Sequence, residues 1–470
     1  MTVEVVLASA EKEISMASTP SRRTSPRSRT SVSRRNLLKQ AAAVGGGAAA
    51  LLAGGDALAA QAAQAPGVLT GTQAGRRYRA LVHSTTRPAI MDVRMLALDE
   101  NRVVVRTEAT QLCYTIVGQS ANSYPIPRIL GHGGVGVVEA IGSKVRRVQV
   151  GDRVIVANTP QCGVCYTCLR GRPDRCQMLP GNGNTMLPIG TLPDGTEVVQ
   201  HNNEGGFGEL MIPYEWYCMP IFYDVSPIDM SVLGCVGACG LGCAVGIAPV
   251  EVASDVVVMG CGPLGLSAIQ GARLKGASQI IAVEPIRERR ELALKLGATI
   301  ALDPNVEGDN LVARVKDLCK PPTSRFFAGG GYAPGNGVGP MGPDFVIEAV
   351  GGDAFPPKAE AGPDPTGILP LQQAWQMVSA AGHLMTVSVG HRGNFTLPGG
   401  QWSNGAKNHH PGNFNGVHSL RDMPRFSRLI LTGQYNARAL ATLIVPFERT
   451  LEALQQVSDR TTIGSVVTFA

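Results

Sequence analysis

The chain has 470 residues, 44% of them hydrophobic, which is enough for about two or three domains with sizeable cores; 57 glycines and 32 prolines against 5% aromatic residues point to many tight turns. The formal charge of +6 is concentrated at the start: residues 1–59 carry eight basic and four acidic side chains, leaving 34 against 32 in the remainder. So nearly neutral a body argues against a nucleic-acid partner.

The first segment, residues 1–59, contains an arginine-rich, acid-free stretch, then a weakly apolar Ala/Gly/Leu run, then Ala57–Leu58–Ala59. These are the three parts of a secretory signal, and Arg34 and Arg35 in "SRRNLLK" resemble the twin-arginine signal. The apolar run is too short and too rich in glycine to span a bilayer. The expectation is cleavage near Ala59 and export, in folded form, by the twin-arginine machinery to the periplasm or beyond.

From Arg76 to about residue 230 the chain reads as β-rich: "RYRALVH", "RVVVRTEA", "GVGVVEAIGSKV" and "GDRVIVAN" are short strand-like runs bounded by Gly, Asp or Asn. Within it, "QCGVCYTCLRGRPDRC" places Cys162, Cys165, Cys168 and Cys176 in a C-x2-C-x2-C-x7-C run. Cysteines three residues apart would need disulfide partners at very close range, whereas tetrahedral zinc wants four thiolates converging at roughly 2.3 Å. A closed zinc site is expected across residues 162–176. Four protein ligands leave no coordination place for a substrate, so its role is structural.

From residue 231 to 418 the pattern changes to buried strands alternating with helices, the signature of a parallel, doubly wound sheet. Gly260, Gly262 and Gly265, with Pro263 and Leu264 between them, form G-x-G-x-x-G directly after "DVVVM" and at the start of a helix. There the backbone N–H groups and the helix N-terminus can face a pyrophosphate. Glu284 ends the next strand, where an acid accepts hydrogen bonds from ribose hydroxyls and repels a 2′-phosphate, so NAD(H) is the expected cofactor. Arg287 and Arg289 follow closely and leave NADP(H) open; Arg289 is counted with the cofactor site. Gly/Pro-rich tracts at 321–343, 353–366 and 392–418 interrupt this region, the last with His409 and His410, expected as a solvated pair in a loop. Residues 419–470 read as helix, strand, helix and strand.

A β-rich domain with a four-cysteine lobe, followed by a dinucleotide fold, resembles the zinc-dependent alcohol dehydrogenases of the medium-chain dehydrogenase/reductase family. The motifs are "LGHGGVGVVEAIGSKVRRVQVGDRVIV", the cysteine run, "GCVGACGLG", "GCGPLG" and "IVPFERTLEAL". The resemblance implies a GroES-like catalytic domain, a Rossmann cofactor domain, a C-terminal segment returning to the catalytic domain, and a homodimer or homotetramer. It also implies a second zinc, catalytic, held by Cys113 in "QLCYTI", His132 in "LGHGG" and Cys235 in "LGCVGACG", with Thr115 passing the substrate's proton outward. Hydride would move between an alcohol, or an aldehyde hydrate, and NAD(H). Two departures stand out: Ile116 and Gly133 occupy positions where the family carries acids close to the metal. Such partners orient a ligand histidine, and losing one costs about 10- to 100-fold in affinity or activity. Those exchanges give some encouragement to a redox-free lyase or hydratase; a non-catalytic binding or structural protein that kept the fold is the third reading. Because no recyclable NAD(H) pool is expected outside the cytoplasm, an exported dehydrogenase would hold its cofactor tightly and re-oxidise it in place, as in the nicotinoprotein branch that this arrangement resembles.

Overall fold

A computed structural model describes residues 73–97, 99–180, 185–319, 342–362, 364–412 and 414–470. The leader and most of the tract at 321–343 lie outside them.

Five strands close a small barrel in the order Arg77–His83, Ala89–Met95, Pro188–Thr191, Glu197–Gln200 and Arg128–Ile129. Beside it lies a seven-stranded sheet built around Val103–Leu112, Gly134–Ile141 and Arg153–Val156. Alternation drives these strands: in Gly134–Ile141, Val138 and Ala140 are buried while Val137, Glu139 and Ile141 are only half-buried. The C-terminal strand Ser465–Thr468 pairs antiparallel with Val103–Leu112, Ser465 opposite Leu112, and carries Leu443–Pro446 on its other side. The tail thus returns to the first sheet, as its sequence suggested.

The third sheet has six parallel strands in the order Ile300–Leu302, Gln279–Val283, Asp255–Met259, Phe345–Glu348, His383–Thr386 and Asn408–Pro411. Numbered along the chain that order is 3-2-1-4-5-6, the doubly wound arrangement whose switch point lies between its first and fourth strands. Its central strands are uninterrupted apolar runs because helices cover both faces. The tract at 392–418 is not only loop: Gly399–Asn404 is helical and Asn408–Pro411 is the sheet's edge strand, so His409 and His410 sit in a strand. His409 meets Thr386 at 2.8 Å and His410 meets His383 at 2.9 Å, across the ladder.

The helix Val236–Val245 packs on Pro263–Leu274, the helix that opens the glycine turn. Gly240 makes this contact close; a Cβ there would come within 2.4 Å of the Leu264 carbonyl oxygen and the Ser267 Cβ. No single helix among the described residues is long and apolar enough to cross a membrane.

Candidate functional site

Cys113 is the N-cap of the helix Tyr114–Ala121, His132 follows the short strand Arg128–Ile129, and Cys235 precedes the helix Val236–Val245. The fold brings one ligand atom from each within 4.8 Å of the others. Two thiols and an imidazole at that spacing suit a zinc ion with one coordination place left for a substrate. Thr115 Oγ1 touches both Cys113 Sγ, at 2.8 Å, and His132 Nε2, at 3.0 Å. Burial lowers the His132 pKa, but its contacts with Cys113 and Glu204 outweigh this and raise it overall. The hydrogen bond with Cys235, followed by burial, raises the Cys113 thiol strongly. The trio therefore carries protons that a bound cation would displace.

The two expected acids are absent for packing reasons. Ile116 is 0% exposed and sits among Leu112, Leu130, Phe207 and Phe447. Gly133 has φ +69°, and a Cβ there would lie 2.9 Å from the Gly234 carbonyl carbon, so any side chain is excluded. A carboxylate from elsewhere in the chain lies beside His132. Glu204, 0% exposed, accepts the Gly133 N–H at 2.6 Å, and burial pushes its pKa up to about 8 despite the neighbouring His132. His132 Nδ1 and Glu204 Oε1 are both buried without a hydrogen-bond partner among the described residues. A zinc ion would favour the charged carboxylate and give the loop a reason to bury it. Glu204→Gln should weaken zinc at this site by about 10- to 100-fold, measured as competition against a calibrated chelator, while the cysteine lobe keeps its metal.

The same loop bears Asn202 and Asn203, both left-handed at φ 53° and 62°. Asn202 faces the cleft and donates through Nδ2 to Asn158 Oδ1 at 3.3 Å, and Asn158 Nδ2 approaches Cys235 Sγ at 3.8 Å. Cys239, one turn beyond Cys235, also lines the cleft. Asn158, Asn202, Glu204 and Cys239 carried no motif in the sequence; the nearest signal was the lone acid before the Gly–Gly turn in "NNEGGFGEL".

The cleft, a cavity of about 450 Å³, joins the trio to the glycine turn. Gly260 has the left-handed backbone (φ +84°) that favours glycine, and Gly265 has no room for a Cβ, which would lie 1.9 Å from the Gly260 carbonyl oxygen, whereas a Cβ at Gly262 would meet nothing within 4 Å. Gly262 N-caps the helix, and Pro263 and Leu264 line the cleft beside it. The free space at Gly262 and the helix N-terminus fit a pyrophosphate. Glu284 accepts the Cys261 N–H at 2.6 Å and the Ile286 N–H at 3.0 Å, which fixes its carboxylate at the cleft wall. Arg289 also lines the cleft, donating to the Thr462 carbonyl at 3.1 Å while its Nε has no partner among the described residues. Arg287 pairs with Glu291 and is exposed.

Cys162, Cys165, Cys168 and Cys176 also gather their sulfur atoms within 4.8 Å of one another. Burial opposes charge on Cys165, but hydrogen bonds from Thr167 and the Gln177 N–H lower its pKa overall; burial raises Cys168 and Cys176.

The tract at 353–366 contributes Asp353, Glu360, Gly362 and Asp364 to the cleft wall. Arg460, at the end of the helix Thr450–Ser458, pairs with both Asp353 and Glu360, side chains that are 12% and 9% exposed. Lys358 Nζ reaches Asp459 at 2.9 Å, and the Ala354 N–H donates to the Tyr114 hydroxyl at 3.1 Å, beside Cys113. At the far end Asp364 holds the Thr366 and Leu369 N–H groups. These contacts tie a segment inserted in the parallel-sheet region to two elements of the β-rich region.

Comparison with known proteins agrees with this geometry. Residues 99–222 match the alcohol dehydrogenase GroES-like domain, and residues 263–361 match the zinc-binding dehydrogenase domain. A geraniol dehydrogenase of Castellaniella defragrans is 36% identical over 235 residues, covering 48% of this chain and 62% of that protein. A class-3 alcohol dehydrogenase of Cereibacter sphaeroides is 31% identical over 241 residues, covering 50% and 64%. The chain thus matches under two thirds of the length of these relatives. The crystal structure of benzyl alcohol dehydrogenase from Acinetobacter calcoaceticus superposes with a TM-score of 0.69 at 24% identity, over 84% of this chain and 100% of that one. A zinc-binding dehydrogenase structure from Sinorhizobium meliloti, bound to NADP, gives 0.60 at 20% identity, over 84% of this chain and 99% of that one. The α/β fold, with a GroES-like domain and a Rossmann-type domain, is common to them.

Proposed function

We propose that the chain is a zinc- and NAD(H)-dependent alcohol oxidoreductase of the medium-chain dehydrogenase/reductase family, exported with its cofactor held in place. One observation carries this reading: Cys113 and Cys235, gathered with His132 into one cluster, line the same cleft as Gly260, Gly262, Pro263 and Leu264. Zinc at the trio supplies Lewis acidity, lowering the pKa of a substrate hydroxyl. The chain's residues do the rest. Thr115 Oγ1, held between Cys113 and His132, is placed to take the hydroxyl proton. The Gly260–Gly265 turn and Glu284 would hold and orient the dinucleotide, which when bound would supply the hydride acceptor for the carbinol carbon. The balance is alcohol plus NAD⁺ to carbonyl, NADH and one proton. Glu284 at the cleft wall and the solvent-facing Arg287 favour NAD(H) over its 2′-phosphorylated form. Glu204 supplies a carboxylate beside His132, so Ile116 and Gly133 no longer favour a redox-free reaction. A homodimer or homotetramer is proposed with the family.

Metal analysis and mass spectrometry of nucleotide freed from denatured, dialysed protein test the reading. The expected result is two zinc ions and NAD(H), with bound NAD⁺ reduced by added alcohols. Protein with zinc in the cysteine lobe alone, or a dinucleotide that no alcohol reduces, would overturn it. For export, replacing Arg34 and Arg35 together by Lys should leave unprocessed chain in the cytoplasm, read as its size and location after cell fractionation.

A further inference from the structure

Around the trio the cleft is largely apolar, with Leu112, Leu179 and Phe414 among its walls. A simple hydrocarbon alcohol needs nothing more. Two amides break that surface. Asn158 and Asn202 both face the cleft, bonded to each other at 3.3 Å, and Asn158 stands 3.8 Å from the Cys235 sulfur. A side-chain amide offers two N–H donors and a carbonyl acceptor. The pair uses the Asn158 carbonyl and one N–H from each amide, leaving Asn202 Oδ1 and two N–H groups without a partner among the described residues. The backbone is bent to present this arrangement. Asn202 and Asn203 are consecutive left-handed residues, a conformation that costs free energy even where Asn tolerates it and that collects at functional sites.

Resting on the dehydrogenase reading above, we propose that Asn158 and Asn202 form a subsite for a second hydroxyl of the substrate, on the reacting carbon or on its neighbour. The favoured substrates are then diols, either aldehyde hydrates or vicinal diols. Such a hydroxyl donates to Asn202 Oδ1 and accepts one of the free N–H groups, whereas a hydrocarbon chain in the same place strips water from both amides and returns nothing. Proximity to Cys235 sets the reach, since Asn158 Nδ2 lies 3.8 Å from that sulfur, next to the trio. For a hydrate the oxidation balances as 1,1-diol plus NAD⁺ to carboxylic acid, NADH and one proton.

The test uses the full holoenzyme and two kinds of matched pair. Turnover of 1,2-propanediol and of hydrated acetaldehyde is compared with that of 1-propanol. Binding of 2,3-dimethyl-2,3-butanediol is compared by calorimetry with that of 2,3-dimethyl-2-butanol; both are tertiary and cannot be oxidised. The expected diol preference is about 10- to 100-fold in kcat/KM and in affinity, the range set by leaving a polar group unpaired. Asn202→Gly, which keeps the left-handed turn, and Asn158→Ala should each bring the binding ratio to within about threefold, with zinc content unchanged. Asn202→Asp, which keeps the acceptor, should retain the preference. Whichever turnover advantage Asn202→Gly removes, that of the hydrate or that of the vicinal diol, identifies the source of the hydroxyl. Equal binding of the tertiary pair by the unaltered protein, or a preference that survives both variants, would overturn the subsite. If no alcohol reduces the cofactor but the tertiary diol still binds more tightly, the dehydrogenase reading fails and the subsite stands.

Discussion

Replacing His132 by Ala should lower kcat/KM for alcohol oxidation by at least ~10³-fold, equivalent to about 4 kcal/mol of lost transition-state stabilisation. The imidazole is 2% exposed, and its Nε2 faces the two thiols and the Thr115 hydroxyl. Without it two cysteines remain, too few to hold a catalytic zinc firmly. Metal content should fall from two ions per chain to one, because the cysteine lobe is a separate cluster. Steady-state rates together with zinc analysis of the same preparation check this. A variant that keeps both metals and most of its rate would remove the trio from the chemistry.

The second large effect is expected at Arg460. Its guanidinium serves two nearly buried carboxylates, Asp353 and Glu360, and so fastens the 353–366 tract at the wall of the cleft. Removing one partner of a buried ion pair typically costs about 3–5 kcal/mol, because the remaining charge is left uncompensated. Arg460→Asn suits the left-handed backbone at this position (φ 57°) but abandons both acids. If the strap must open for NAD(H) to leave, its release should quicken by ~10²-fold or more. Stopped-flow displacement by a fluorescent dinucleotide measures that rate. Adding Asp353→Asn and Glu360→Gln should slow release again, since the unpaired charges are then gone. An unchanged rate in Arg460→Asn would show that the strap does not guard the exit.

The parts of this architecture legible in the sequence were those with local signatures. The cysteine run, the glycine turn after an apolar strand, and Glu284 at the end of the next strand each declare themselves within a few residues. Cys113, His132 and Cys235 are far apart in the chain, and only the family resemblance grouped them. Glu204 shows why such grouping is incomplete: the position after His132 cannot carry a side chain, so a carboxylate arrives from a loop that no local pattern connects to it. Asn158, Asn202 and Arg460 were likewise silent, because they are joined by topology alone. His409 and His410 were misplaced for a different reason. An exposed edge strand needs no apolar alternation, and its ladder to His383–Thr386 is invisible in composition.

The contact at Gly240 has a consequence for how this chain can vary. Because backbone meets backbone there, the separation between the thiol of Cys235 and the dinucleotide turn is set by two helices in van der Waals touch. Long Gly/Pro segments can therefore be inserted elsewhere, altering what enters and leaves, without changing the spacing between Cys235 and the glycine turn on which the proposed hydride transfer would depend. The reaction coordinate is gauged by a rigid spacer, and diversification is confined to the periphery.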